Sequence, residues 1–167
     1  LFDRDSGMNA RCEGPETAHL KQVAPRMIQF GITNACNLAC SFCSRDVSAK
    51  SEWTFDQTFA ILSELSKYGV LEVAFGGGEP LLFPGFTDLL IKLYDQTQLA
   101  VNFTTNGINL TEERLEAISG KYGQIRLSLY DNNDWRQRVT MLAKHCARFG
   151  INYLVTPERL SSLETTI

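Results

Sequence analysis

Three cysteines fall within eight residues, in the stretch CNLACSFC from Cys36 to Cys43. Steps of four and three residues let the sulfurs of Cys36, Cys40 and Cys43 converge on one small inorganic centre. All-thiolate ligation favours zinc or an iron–sulfur cluster. A structural zinc ion asks for four protein ligands. No fourth cysteine or histidine stands nearby, the only histidines being His19 and His145. Three thiolates on a four-iron cluster leave one iron open, and an open position marks a catalytic metal rather than a structural one. Core thiols, an incomplete zinc knuckle and an open iron–sulfur site are the readings the stretch allows by itself.

Two other stretches carry chemistry of a different kind. In GGGEP (76–80), Gly76, Gly77 and Gly78 permit backbone angles and close approaches that side chains forbid. Their carbonyls can accept hydrogen bonds from a ligand ammonium, Glu79 adds negative charge, and Pro80 holds Glu79 extended. The run suits a cation. It lacks the lysine and the spacing of a phosphate loop, and alone it reads as a plain turn. TTNG (104–107) reads first as a turn through Asn-Gly. If it shares a rim with the cysteines, Thr105 and Asn106 become polar ligand contacts. Ser128 interrupts an apolar strand just before its end, either as a satisfied core serine or as a ligand contact.

Something must bring these stretches together, and the chain has a repeating plan that can. From residue 26 onward, apolar β-rich runs at 26–33, 71–75, 99–104, 124–130 and 151–155 alternate with amphipathic helical runs. Thr54 and Gln57 form a capping-box pattern, and Phe55, Phe59, Leu62 and Leu65 share one helical face, with Gly69 as the left-handed stop. Phe86, Leu89, Leu90 and Leu93 form a second stripe, entered through Pro84. Thr111 opens a third helix, with Glu112 and Glu113 at its positive dipole end. Asp134 opens a fourth, with Val139, Leu142, Cys146 and Phe149 inward and Gly150 as its stop. These stripes are core. Alternating βα units predict an α/β fold with a parallel sheet, and about five units make part of a (β/α) barrel. Every unusual loop then follows the C-terminal end of a strand, where such folds build their sites.

The bulk composition narrows the classes. With 167 residues, 44% hydrophobic, the chain suits one core. A net charge of −3 and scattered basic residues predict no nucleic-acid footprint. Arg136, Arg138, Lys144 and Arg148 read as a solvated helix face. No apolar run approaches the roughly 18 residues a membrane span needs, and no signal peptide is recognisable. Five cysteines, three of them clustered, fit a reducing cytoplasm better than a secreted disulfide framework. Residues 1–25 are expected to be an N-terminal extension, a small hairpin turning at Asp-Ser-Gly with Cys12 incidental, ahead of a core domain at 26–167. The chain begins with Leu and is expected to be a piece of a longer one.

Together, Cys36-x-x-x-Cys40-x-x-Cys43 with Phe42 before the last cysteine, Gly77-Gly78-Glu79-Pro80 and Thr105-Asn106-Gly107 resemble the radical S-adenosylmethionine (radical SAM) enzymes. The resemblance spans residues 26 to about 155. It implies a partial (β/α) barrel of the radical SAM type and a 4Fe-4S cluster held by Cys36, Cys40 and Cys43. The open iron would chelate the amino and carboxylate groups of S-adenosyl-L-methionine. Gly77, Gly78 and Glu79 would hold the ammonium, and Phe42 would lie against the adenine. Thr105, Asn106 and Ser128 would make polar contacts to the ribose or carboxylate. Reductive cleavage of the sulfonium would give a 5′-deoxyadenosyl radical that abstracts hydrogen from a peptide or small-metabolite substrate. An electron donor such as flavodoxin or ferredoxin is implied as partner. TTNG and CNLACSFC look most like the branch of peptide-maturing and molybdenum-cofactor enzymes. A glycyl-radical-enzyme activase is the alternative reaction. A non-catalytic iron–sulfur or zinc-binding protein is the alternative of another class. The fifth strand departs from the family, since INYLVTPERL has no glycine after Ile151, leaving Val155 as the expected adenine contact.

Overall fold

The computed structural model describes residues 1–5, 8, 10, 12–46, 48–160 and 163. Five strands, β1 (Met27–Thr33), β2 (Glu72–Gly77), β3 (Ala100–Thr105), β4 (Ile125–Leu129) and β5 (Phe149–Tyr153), form one sheet. Between them run the helices α1 (Phe55–Lys67), α2 (Phe86–Gln96), α3 (Glu112–Ala117) and α4 (Trp135–Lys144), with a 3-10 turn at Pro80–Leu82. The strand order is β1-β2-β3-β4-β5 and every pairing is parallel. A right-handed crossover places each helix on a fixed side of its strand pair. Because the order never reverses, all four crossovers fall on the same face, as in a barrel wall, and the expected partial barrel is what forms.

The two faces of the sheet differ accordingly. Val73 and Phe75 on β2, Val101 and Phe103 on β3, and Ile125 and Leu127 on β4 are buried with Leu62, Leu89, Leu90, Leu93 and Leu142 from the helices. Phe75, Phe86 and Phe103 meet edge to face with centroids 5.4 Å apart at each step, the preferred aromatic geometry. The alternate positions carry Gln29, Ala74, Asn102, Thr104, Arg126 and Ser128, in register where Gln29 pairs with Ala74 and Ala74 with Asn102. That face is polar and forms the inner wall of the partial barrel.

Helix ends follow their sequence signals at α1. The Thr54 hydroxyl accepts from the Gln57 N–H at 3.3 Å while the Gln57 side chain accepts from the Thr54 N–H at 3.1 Å. Gly69, at φ +98°, closes the helix, with Val70 N–H donating to Leu65 O. At α4 the expectation fails. The helix ends at Lys144, and Cys146 takes the left-handed position at φ +50°. Ala147 N–H then donates to Leu142 O at 2.9 Å and Cys146 N–H to Ala143 O at 3.0 Å, a Schellman closure in which a non-glycine residue plays the glycine part. Phe149 and Gly150 therefore belong to β5, which runs over 149–153 instead of 151–155. Cys146 is exposed, not a buried core thiol.

Nor do the basic residues of that segment form one solvated face. Arg138 donates to Leu110 O, and Arg148, outside the helix, donates to Gly123 O at 2.8 Å. At the other end of the chain, Asp3 N–H donates to Met8 O and Ala10 N–H to Leu1 O. Ser6 and Gly7, where the turn is expected, lie outside the described residues. Arg4 lies 3.9 Å over the Tyr94 ring and donates to Leu99 O, which docks this segment against α2. Among the described residues, no helix is long and apolar enough to cross a membrane.

Candidate active site

The loops leaving the C-terminal ends of β1, β2, β3 and β4 surround one cavity, about 610 Å³ with its open mouth included. Cys36, Cys40, Phe42, Cys43, Gly77, Gly78, Glu79, Thr105, Asn106 and Ser128 all line it, and so do Leu38, Arg45, Gly76, Thr104 and Tyr130. Val155 does not: it lies past β5 and is exposed. The register explains the convergence. Parallel strands paired without reversal end on the same side, so four separate loops share one rim.

The glycine run is a strap that ties the second loop to the first. Gly78 N–H donates to Thr33 O at 2.6 Å and Glu79 N–H to Ala35 O at 2.8 Å. Gly77 sits at φ +108°, and a Cβ there would stand 2.5 Å from Thr33 O. At Gly78 a Cβ would stand 2.0 Å from Ala35 O. The glycines are thus needed for backbone-on-backbone contact beside Cys36. That is a more specific demand than the freedom their sequence suggests.

Glu79 is 1% exposed, and its carboxylate is built into the site. Leu81 N–H donates to Oε1 at 3.1 Å, the Thr105 hydroxyl to Oε1 at 2.7 Å and Asn106 N–H to Oε2 at 2.8 Å. Burial pushes the Glu79 carboxyl above the usual glutamate range; these three hydrogen bonds and the nearby Arg114 oppose the shift. A carboxylate has about four acceptor positions. Three are taken by these bonds, which leaves one on Oε2.

Among the described residues, the cysteine loop has neither helix nor strand between β1 and α1. It is held by side chains on other loops. The Asn106 amide donates to Asn37 Oδ1 at 2.7 Å and lies 3.9 Å from Cys36 Sγ; Asn37 in turn donates to Asn109 Oδ1 at 2.7 Å. Cys43 N–H donates to Cys40 O at 3.1 Å, a tight turn between two of the thiols. Burial raises the Cys40 thiol, its neighbours Cys36 and Cys43 raise it further, and the Arg45 cation pulls the other way. Cys12 and Cys146 stand apart from this loop and are exposed. Among the described residues, no group of three or more histidine, cysteine, aspartate or glutamate side chains is gathered at metal-holding distance.

Sequence reasoning missed Asn133. It is 3% exposed, and its amide donates to Asn106 O at 2.7 Å and Ser128 O at 2.6 Å while accepting from Tyr130 N–H at 3.2 Å. One side chain thereby locks the β3 loop to the β4 loop. Its setting, DNND, reads in sequence as an ordinary turn. Tyr130 adds an aromatic surface at the rim, its ring 5.5 Å from the Phe42 ring.

The family model described as the radical SAM superfamily matches residues 30–147. The sporulation killing factor maturation protein SkfB of Bacillus subtilis is 34% identical over 102 residues, which cover 60% of this chain and 25% of the relative. The PqqA peptide cyclase of Bradyrhizobium diazoefficiens is 36% identical over 98 residues, 57% of this chain and 26% of the relative. The chain thus spans about a quarter of the length of these curated relatives. Among solved structures, Streptococcus suis SuiB bound to S-adenosylmethionine superposes with a TM-score of 0.69 at 20% identity, over 86% of this chain and 38% of that one, a likeness of fold.

Proposed function

The chain belongs to the radical SAM superfamily of enzymes, and from that premise we propose that it generates a substrate radical by reductive cleavage of S-adenosylmethionine at a 4Fe-4S cluster. The observation that carries this is the donor set of the cavity. Three thiols, Cys36, Cys40 and Cys43, line it without a fourth cysteine or any histidine, which fits a cluster with one open iron and does not fit structural zinc. The described residues of the loop have no helical or strand ladder for closure to break. Cys36, Cys40 and Cys43 would hold this cluster, which would supply the single electron for cleavage of the sulfonium.

The protein's part is to bind, orient and exclude water. The free acceptor position on Glu79 Oε2 takes the ligand ammonium, beside the backbone of Gly77 and Gly78. Thr105, Asn106 and Ser128 offer polar contacts to the ribose or carboxylate, while Asn133 fixes the loops that carry them. Phe42, backed by Tyr130, gives the adenine an apolar surface. Two relatives are named as a peptide cyclase and a maturation protein and others as probable GTP 3′,8-cyclases, so the substrate proposed is a peptide or a small metabolite. A reduced flavodoxin or ferredoxin is the electron donor this chemistry calls for.

Anaerobic reconstitution is expected to load about four iron per chain. With reductant, the loaded chain is expected to convert S-adenosylmethionine to 5′-deoxyadenosine. Zinc in place of iron, or an intact cluster without cleavage, overturns the proposal.

Glu79 gives a second expectation, in which the sign is set by its raised carboxyl. The folded chain holds the Glu79 proton to higher pH than the unfolded chain, so the buried charge costs stability only as pH rises through that window. Ligand binding needs the opposite state, because only the carboxylate accepts from an ammonium. S-adenosylmethionine affinity is therefore expected to fall on acidification at a higher pH than an ordinary glutamate would give. Glu79→Gln should weaken binding by about tenfold to a hundredfold and flatten the pH dependence. Equilibrium dialysis across pH measures both, and an unchanged pH profile in Glu79→Gln removes Glu79 from the ligand.

A further inference from the structure

The inner wall of the partial barrel carries a cation without a partner. Arg126 is exposed in the middle of β4, between Ile125 and Leu127, which are fully buried on the helix side of the sheet. Strand alternation turns Arg126 to the inner wall, the same side as Ser128. Every other arginine among the described residues has a partner within the chain, as Arg114 has Leu81 O and Arg136 has the Trp135 ring. Arg126 has no hydrogen bond or ion pair among them. Glu72, the only acidic residue in the five strands, is out of its reach. Glu72 pairs with Ala100, four residues along β3 from Thr104, and Thr104 pairs with Arg126. Two strand spacings and four residue rises put the two Cα atoms about 16 Å apart. Glu72 also accepts from the Asn102 amide at 3.3 Å.

A single exposed arginine is ordinarily no more than solvated. The place of this one gives it a use. Arg126 does not line the cavity, but Ser128 and Thr104 both do. Ser128 lies two residues nearer the rim, about 7 Å along the strand, and Thr104 is the register partner of Arg126 on β3. The register partner on β5 is Gly150, so the wall beside the guanidinium is open on that side. Arg126 thus stands one pleat beneath the proposed S-adenosylmethionine site, on the surface next to it. A molecule that gives up a hydrogen atom to a radical formed in the cavity must lie against that surface. The acceptor that suits a planar fork of N–H donors is a carboxylate or a phosphate. We infer that Arg126 is a substrate-binding residue, and that the substrate carries an anionic group, a carboxylate or a phosphate, where it meets this wall. This rests on the function proposed above and narrows its substrate class.

The test uses the iron-loaded chain with S-adenosylmethionine bound, at constant ionic strength so that screening does not imitate binding. The probes are inorganic pyrophosphate, the blocked peptide acetyl-Ala-Glu-Ala-amide and its neutral counterpart acetyl-Ala-Gln-Ala-amide. Modification of Arg126 by phenylglyoxal, read by peptide mass spectrometry, reports whether the guanidinium is occupied. An anionic probe is expected to slow that modification about tenfold once it exceeds its dissociation constant about tenfold, and the neutral peptide is expected to leave it unchanged. Protection by pyrophosphate alone supports a phosphorylated metabolite as the substrate, and protection by the acidic peptide alone supports an acidic peptide. Protection by both supports recognition of the anion whatever carries it. Arg126→Gln should weaken the protecting probe by about tenfold to a hundredfold in titration calorimetry, the scale of a lost charge-assisted hydrogen bond. Arg126→Lys should recover part of the loss, since it restores the charge without the fork. Both variants should match wild type in iron content and keep S-adenosylmethionine affinity within about twofold, as a surface substitution does. Modification that neither anion slows, equal protection by the neutral peptide, or Arg126→Gln that loses S-adenosylmethionine along with the probe overturns the inference alone. Iron-loaded wild type that does not bind S-adenosylmethionine overturns the parent proposal and this one with it.

Discussion

Replacing Cys40 with alanine is expected to leave the chain folded and to abolish its iron. Cys40 sits in the loop between β1 and α1, whose described residues form neither helix nor strand, and it is absent from the hydrophobic core. Truncating a side chain in such a place typically changes stability by about 0.5 kcal/mol or less. The consequence for a metal is of another order. Three thiols are the smallest set that can hold four iron with one position open, and no other cysteine lines the cavity to replace a lost one. Burial and the neighbouring Cys36 and Cys43 raise the Cys40 thiol, so in the metal-free chain it keeps its proton to higher pH, and cluster assembly must release that proton. The variant is therefore expected to show wild-type circular dichroism and an unchanged unfolding midpoint. Iron per chain should be close to zero, with no 5′-deoxyadenosine formed. Retained iron would mean that the ligands are misassigned. A collapse of the unfolding transition would mean that the loop belongs to the core.

The fold was readable because its signals are local. The 3.6-residue stripes on α1 and α2, the capping box at Thr54 and the left-handed stop at Gly69 each depend on a handful of neighbouring residues. The error at α4 came from the same locality. Gly150 is the better left-handed residue by intrinsic preference, yet Cys146 takes that position, and tertiary packing of Phe149 in β5 decides the matter. For the site, cysteines and glycines announce themselves by type and spacing, and the sheet register brings their loops to one cavity. Asn37, Asn133 and Arg45 did not announce themselves. Asn37 and Asn133 matter through bonds to Asn106 on another loop, and Arg45 through a bond back to Asn34 within its own loop, and an asparagine in a turn looks the same whether or not such a partner waits for it. Non-local hydrogen bonds are the part of a site that one sequence does not display.

Gly78→Ala is expected to damage stability and ligand binding together, and far more than Gly76→Ala. The added methyl at position 78 would stand 2.0 Å from Ala35 O and 2.7 Å from Ala35 C. Both are backbone atoms of the residue before Cys36, so no side-chain rotation relieves the clash. Relief requires the strap to separate from β1, which breaks the bonds from Gly78 N–H to Thr33 O and from Glu79 N–H to Ala35 O. Two such hydrogen bonds are worth about 1 kcal/mol each in net terms, and residual strain adds about 1–3 kcal/mol. The sum, about 3–5 kcal/mol, is a large share of the about 5–15 kcal/mol that holds a typical domain. At Gly76 nothing lies within 4 Å of where the added methyl would stand, and the backbone angle is ordinary, so alanine there should shift stability by about 0.5 kcal/mol at most. Urea unfolding of the two variants side by side gives the comparison. The separation of strap from β1 also moves Glu79 away from Asn106 and shifts Cys36, so Gly78→Ala that is folded and iron-loaded should still bind S-adenosylmethionine at least about tenfold more weakly. Equal midpoints for the two variants would show that the strap does not depend on a bare backbone at position 78. The contact between the glycine run and the cysteine loop would then be incidental to the site.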